Sequence, residues 1–440
     1  MSRFLQAFLL PLLFTCWSAF AAGPRIPDGF VTTSGRNFVL DNKPFAFVGA
    51  NSYWLPLLTS NEDVEATFQE MEDAGVKVLR TWASGFNAIN GSELAGALES
   101  GLTYYQVSGL FPVWNSSEWV LNDGPQGLRR LDNVINVAGK HGIKVILTFT
   151  NNWVGYGGSE LYINWIAGAS QTHDVFYSDP RIIASYQRYV KVIVERYKDS
   201  PNIFAWELMN EARCLGDLPG GPNCVPTSGL ISSWYKQQAD FVRSLDPFHM
   251  ITTGGEGQFN WVKPKHYWYN GSFVSDYNYN GEAGENFDLD LALDNIDFGA
   301  YHMYPQSWYT ELDTPGSNFT TQQWGLGWIS EHSDSARKVG KPLVLEEFGA
   351  TGIVNKTSIY PAWVDLALKT GHSTLFRGIM PWQWGQLGLT EGNRVLKYAD
   401  EILDGASPND GYTIYKNQTE LWNIFKGAAK VQNDRTWIMG

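Results

Sequence analysis

The chain has 440 residues, of which 18% are charged and 15% aromatic, and 45 acidic against 32 basic side chains give a formal net charge of −13. An acidic balance without basic runs excludes nucleic acid and anionic membranes as partners, since both select clustered lysine and arginine. Nineteen tryptophans and twenty-one tyrosines leave two readings open, a large aromatic core or a surface that grips sugar rings.

The chain opens with Arg3, an apolar run over 8–14 and the small residues Ala19, Ala21 and Ala22, the pattern of an export signal. Residues 1–22 are therefore expected to be a signal peptide and 23–440 the secreted, extracellular domain. The apolar run is too short to span a bilayer, which needs about 20 apolar residues. With Cys16 in the signal, Cys214 and Cys224 remain to form one disulfide in an oxidising compartment. Six Asn-X-Ser/Thr sequons, at Asn90, Asn115, Asn270, Asn318, Asn355 and Asn417, are glycan acceptor positions in a secreted protein.

Eight β-rich runs follow in chain order, at 45–52, 76–83, 143–150, 203–210, 250–255, 296–304, 343–347 and 378–384. Between them lie stretches of helical period, such as Val64, Phe68 and Met71, then Leu128, Leu131, Val134 and Ile135, then Ile183, Tyr186, Tyr189, Val190 and Ile193. Asp179 before Pro180 predicts a helix start, and Gly75 and Gly142 predict left-handed helix ends. Strands alternating with helices give an α/β fold with a parallel sheet, and eight such pairs without a linker or second compositional regime point to a single (β/α)8 TIM barrel. The alternative, an open doubly wound sheet, would carry a glycine-rich nucleotide loop, and the sequence has none. Residues 101–126 and 257–290 are too long for ordinary connections and are expected as loops around a cleft.

In such a barrel the active site gathers where strands end at the carboxyl face. The fourth run ends Trp206-Glu207-Leu208-Met209-Asn210-Glu211, and the seventh reads Leu343-Val344-Leu345-Glu346-Glu347-Phe348-Gly349. Carboxylates at the mouth of an apolar core are costly unless paired or used, and two that face each other across about 5 Å can cleave a glycosidic bond with retention. Arg80 with Trp82, and His302 with Tyr304, lie two apart and so share a strand face; Trp382 and Trp384 close the eighth run. The bland alternative is a structural Arg80–Glu211 ion pair among core tryptophans. Glu346 rivals Glu347, because neighbours on a regular strand point to opposite faces and periodicity does not choose between them.

Taken together, Asn210-Glu211, His302-x-Tyr304 and Glu347 before Phe-Gly make the chain resemble glycoside hydrolase family 5 over about 35–429, most closely its fungal and plant endo-β-1,4-mannanases. Local stretches similar to that branch are Leu79-Arg80-Thr81-Trp82, Asn151-Asn152-Trp153, Asn210 through Cys214, Gly255-Glu256-Gly257 and Trp324 through His332. The resemblance implies hydrolysis of β-mannan with Glu211 as acid/base and Glu347 as nucleophile, the latter because the family's nucleophile directly precedes the aromatic-Gly pair. It also implies substrate-binding positions at Arg80, Trp82, Asn152, Asn210, Arg213, Glu256, His302, Tyr304 and Trp382. Among these, Asn210 would bond the hydroxyl beside the anomeric centre, Trp382 would lie beneath the cleaved sugar, Arg80 and Tyr304 would hold Glu347 ionised, and Arg213 and Glu256 would contact flanking sugars. No metal or cofactor is implied, and a monomer is expected. Three departures stand out: Thr150-Asn151-Asn152 where many relatives carry His, Ala212 where relatives usually have Pro, and the insert around 114–127. An endoglucanase, an exo-acting or transferring enzyme, and a wall protein that binds sugar without cutting it are the rival readings.

Overall fold

The computed structural model describes residues 25–82, 86–87, 106–108, 119–121, 123, 125, 127–155, 157–168, 170–373, 376–395 and 400–435. The signal segment, Asn90, Asn115 and most of the 101–126 insert lie outside these residues.

Each expected β-rich run overlaps one barrel strand, the eighth only at residues 378–379 because its strand spans Phe376–Ile379, and a helix follows each. The order is β1 (Phe47–Asn51), α1 (Asn61–Asp73), β2 (Val78–Trp82), α2 (Leu128–Lys140), β3 (Lys144–Thr148), α3 (Pro180–Tyr197), β4 (Ile203–Glu207) and α4 (Leu230–Leu245). It continues with β5 (Met250–Thr252), α5 (Phe287–Leu291), β6 (Gly299–Met303), α6 (Thr321–Val339), β7 (Leu343–Phe348), α7 (Ile353–Ser373), β8 (Phe376–Ile379) and α8 (Thr419–Asn433). The strands form one parallel sheet in the order β5-β4-β3-β2-β1-β8-β7-β6. At the remaining seam, Asp297 N–H donates to Ile251 O at 2.9 Å and His302 N–H to Glu256 O at 3.2 Å, so β5 and β6 meet and the barrel is nearly closed.

Local signals explain the helix ends. Ser60 accepts from Asp63 N–H to cap α1, Asp179 accepts from Arg181 N–H to cap α3 with Pro180 in its first turn, and Gly75 and Gly142 take φ of 83° and 65° after α1 and α2. Inside the barrel the floor is apolar, with Phe47, Val78, Ile146, Phe204, Ala300, Val344 and Met380 in one buried cluster. Two residues beyond Val78, Ile146, Ala205, Ala300 and Val344 stand Arg80, Thr148, Glu207, His302 and Glu346, and four beyond Phe47 stands Asn51, all buried. Period-2 alternation thus turns an oily floor into a polar mouth. A three-stranded antiparallel sheet, Val31–Ser34, Asn37–Leu40 and Lys43–Phe45, plugs the floor, with the Phe38 ring 5.0 Å from Phe204 and 5.2 Å from Phe298.

The 257–290 segment departs from the expectation of a cleft loop. It holds a hairpin, His266–Tyr269 with Ser272–Ser275, and is tied to α6 by Trp324 Nε1 donating to Asp276 at 2.9 Å. Phe259 and Tyr279 join Trp328 and His332 in a buried aromatic cluster, so burial of rings draws most of the segment to the barrel's flank.

Cys214 and Cys224 form the disulfide. Gly284 presses against it: a Cβ there would lie 2.1 Å from Cys214 Sγ, and its φ of 89° also favours glycine. Replacing both cysteines by serine is expected to lower unfolding free energy by roughly 2–3 kcal/mol, as short-loop closure predicts. A urea titration reads this as a fall in midpoint. The sequon asparagines Asn270, Asn318, Asn355 and Asn417 are exposed. Among the described residues no helix is long and apolar enough to cross a membrane.

Candidate active site

The barrel mouth opens into a cleft of about 590 Å³ whose lining includes Trp82, Trp153, Asn210, Glu211, Arg213, Glu256, Tyr304, Glu347 and Trp382. Glu211 follows β4, its backbone N–H bonded to Gly254 O at 2.8 Å. Its φ is 53°, a left-handed conformation that costs a non-glycine residue about 1–2 kcal/mol. That turn throws the side chain across the mouth, where Trp153 Nε1 donates to Oε2 at 2.7 Å and His302 Nδ1 lies 2.9 Å from Oε1.

Glu347 faces it from β7. Tyr304 O–H donates to Glu347 Oε2 at 2.6 Å, and Arg80 donates to Oε1. One carboxylate oxygen of Glu211, one of Glu347 and a ring nitrogen of His302 all lie within 4.8 Å of one another. Such a trio has the dimensions to surround a cation, but His302 Nδ1 is hydrogen-bonded to Glu211 and Glu347 is bonded to Arg80 and Tyr304. The arrangement is an acid–base network.

Arg80 is the hub beneath it. It bonds Glu207 through Nε at 2.8 Å and through a terminal nitrogen at 2.7 Å, and also Asn210 Oδ1 at 2.8 Å and Asn51 Oδ1 at 3.2 Å. The bland pairing with Glu211 is corrected: Glu207 lies on the inner face of β4, while the turn at Glu211 carries that carboxylate away. Arg80 and His302 are buried and do not line the cleft, so both act through the carboxylates. Asn152 is also corrected as a substrate-binding position. It is fully buried, its Oδ1 2.8 Å from His173 Nε2 and accepting from Arg213 N–H at 3.1 Å, and it pins the Arg213 loop. Asn151 lines the cleft in its place and accepts from Asn210 Nδ2 at 2.9 Å.

The walls are aromatic and charged. Trp382 stacks on Tyr53 with ring centres 5.8 Å apart and donates to Asp410 at 2.7 Å. Arg213 pairs with Glu256 through two nitrogens and lies 5.5 Å from the Trp153 ring centre. Sequence reasoning assigned no site role to Glu207, Asn151, Trp153, Tyr53 and Asp410, although Asn151 and Trp153 stood in a stretch similar to the mannanase branch. Glu207 carried a signal of its own, two residues after inward-facing Ala205.

The seventh strand breaks the rule of alternating faces. Tyr301 pairs with Leu345 and His302 with Glu347, so Glu346 is the extra residue of a β-bulge. Both glutamates therefore turn inward: Glu347 reaches the cleft, while Glu346 lies beneath it, 3.7 Å from Arg80 Nε and 3.6 Å from His302 Nε2.

Proton affinities follow these contacts. Burial opposes a charged His302, yet the Glu347 charge and the hydrogen bond to Glu211 outweigh it and raise its pKa well above the ordinary value. Burial also pushes Glu211 up, but the hydrogen bond from His302, its charge and that of Arg213 bring it down to about 2. Burial leads at Glu347 and raises it despite His302 and Arg80. The two shifts run opposite to those expected of an acid and a nucleophile, because the hydrogen bond and charge of His302 outweigh burial at Glu211 but not at Glu347.

Comparison with known proteins bears on this geometry. Residues 28–433 match the family described as GH family 5 beta-mannosidase-like. The chain is 35% identical to mannan endo-1,4-beta-mannosidase A of Aspergillus aculeatus, covering 90% of this chain and 91% of that protein. It is 38% identical to mannan endo-1,4-beta-mannosidase F of Aspergillus clavatus, over 91% and 78%. The crystal structure of the endo-1,4-beta-mannanase from Rhizomucor miehei superposes with a TM-score of 0.74 at 30% identity, covering 92% of this chain and 100% of that one. The endo-beta-1,4-mannanase from Thermotoga petrophila gives 0.71 at 30%, over 90% and 78%.

Proposed function

Since the chain belongs to the β-mannosidase-like branch of glycoside hydrolase family 5, we propose that it is a secreted retaining endo-β-1,4-mannanase cutting internal bonds of mannan, glucomannan or galactomannan. The observation that carries the mechanism is the approach of Glu211 and Glu347 oxygens to within 4.8 Å. Retaining enzymes hold their carboxyl groups about 5–5.5 Å apart, whereas an inverting pair leaves a wider gap for water.

Glu347 attacks the anomeric carbon as Glu211 protonates the departing glycosidic oxygen, giving a glycosyl ester on Glu347. Glu211, now a carboxylate, takes a proton from water, which attacks the same carbon and frees Glu347. For the first step, the proton at His302 Nδ1 must cross its 2.9 Å hydrogen bond to Glu211. Asn210 spends one Nδ2 proton on Asn151 and keeps the other for the sugar hydroxyl beside the anomeric centre. Trp382, fixed by Tyr53 and Asp410, offers a flat floor to the sugar being cut, and Arg213 with Glu256 meets the sugars beyond it. Export is supported by the disulfide and the exposed sequons.

Reducing-end release and viscosity decide the substrate. Galactomannan and glucomannan are expected to lose viscosity early, with carboxymethylcellulose left intact. Cleavage of the cellulose derivative alone would make the protein an endoglucanase, and early mono- or disaccharide without a viscosity drop would make it exo-acting.

A further inference from the structure

The mechanism above makes no use of Glu346, although few side chains in the barrel are placed at greater cost. It is fully buried, the bulge of β7 turns it inward beside Glu347, and neither carboxylate oxygen has a hydrogen-bond partner. Charged or titratable groups face it from the neighbouring strands: Arg80 of β2 at 3.7 Å, His302 of β6 at 3.6 Å and Glu207 of β4, which shares Arg80 with it. Asn51 of β1 binds its backbone oxygen at 2.8 Å. His302 Nε2 also lacks a partner. Two orphaned polar groups therefore face each other just beyond hydrogen-bond reach, while the opposite ring nitrogen is bonded to Glu211 at 2.9 Å.

Resting on the reading of Glu211 as acid/base, we propose that Glu346 is a positioning residue for the catalytic proton, acting through His302 to decide whether that proton lies on His302 Nδ1 or on Glu211. With Glu346 neutral, the imidazolium loses one counter-charge and the Nδ1 proton passes to Glu211 Oε1: one N–H bond breaks, one O–H bond forms, and Glu211 delivers the proton to the leaving oxygen. With Glu346 ionised, the imidazolium is held between carboxylates and keeps its proton. Glu211 is then a bare carboxylate and the first step stalls. Burial, joined by the Glu207 charge, pushes Glu346 up to about 7 against Arg80 and His302, so the ionised form takes over as pH rises through neutrality.

Glu346→Gln keeps the shape and fixes the neutral state. For mannohexaose, kcat/KM of the parent is expected to fall near neutral pH, and in the variant this basic limb moves up by about one pH unit or more. A dinitrophenyl β-mannobioside, whose leaving group departs without a proton, is expected to show the same basic limb in both proteins. An unmoved limb with mannohexaose, an equal shift for both substrates, or a uniform loss at every pH overturns the proposal. If Glu346→Gln does not fold, ¹⁵N shifts of the His302 ring in the unaltered protein decide: an inflection near neutral pH supports the coupling and its absence overturns it. A folded parent protein that cleaves neither substrate sinks the mannanase reading instead, and the same ¹⁵N titration still decides whether Glu346 governs the ring.

Discussion

Glu347→Ala is expected to abolish turnover of β-mannan, by ~10⁴-fold or more, while leaving the protein folded. The loss follows from removing the atom that attacks the anomeric carbon, since Glu211 stands on the opposite wall, Glu256 is paired with Arg213, Asp410 holds Trp382, and Glu346 is buried beneath the cleft. The fold survives because Arg80 keeps both bonds to Glu207 and its bonds to Asn51 and Asn210. Melting temperature separates the two effects. Azide supplied with an activated aryl β-mannobioside would occupy the vacated space and attack from the nucleophile's side, so the product should be the inverted α-glycosyl azide. A dead Glu346→Ala beside an active Glu347→Ala would reverse the assignment on β7.

Glu211→Ala should divide substrates by leaving group. Polymer hydrolysis is expected to fall by about 10²–10⁴-fold, the range for losing general acid–base help. Dinitrophenyl β-mannobioside should still form the glycosyl ester on Glu347, visible as a burst of phenolate followed by slow turnover. Here azide enters from the acid/base side and attacks the ester, so it should speed the second step and yield a β-glycosyl azide. Opposite azide anomers from the two variants would fix both roles in one pair of experiments. An α-azide from Glu211→Ala would contradict the assignment.

Much of this was legible in the sequence because barrel strands follow one rule: apolar inner residues at the floor, polar ones at the mouth, two apart. Val78, Arg80 and Trp82, or Ala300 and His302, show it directly, and all eight runs carry a strand. What was not legible depends on breaks in that rule. The bulge at Glu346 inserts a residue with no compositional mark, so alternation allowed one inward glutamate where the structure has two. Asn151 and Asn152 differ only in direction, which the chain settles after β3 ends, where no period applies. The hydrogen-bond partners of Glu211 and Trp382, namely Trp153 and Asp410, come from loops whose paths depend on tertiary packing.

The antiparallel plug on the barrel floor has a practical consequence. It packs against Phe204 and Phe298, at the strand starts, so the first described residues emerge on the side away from the cleft. The last helix returns there too, with Gln432 reaching Phe47 O at 3.3 Å. A five-residue strand spans about 17 Å, and that depth separates both described ends from the mouth. An affinity tag, a carrier bead or a second protein joined directly at residue 25 or residue 435 would sit behind the barrel and leave a long polysaccharide free to thread across its front.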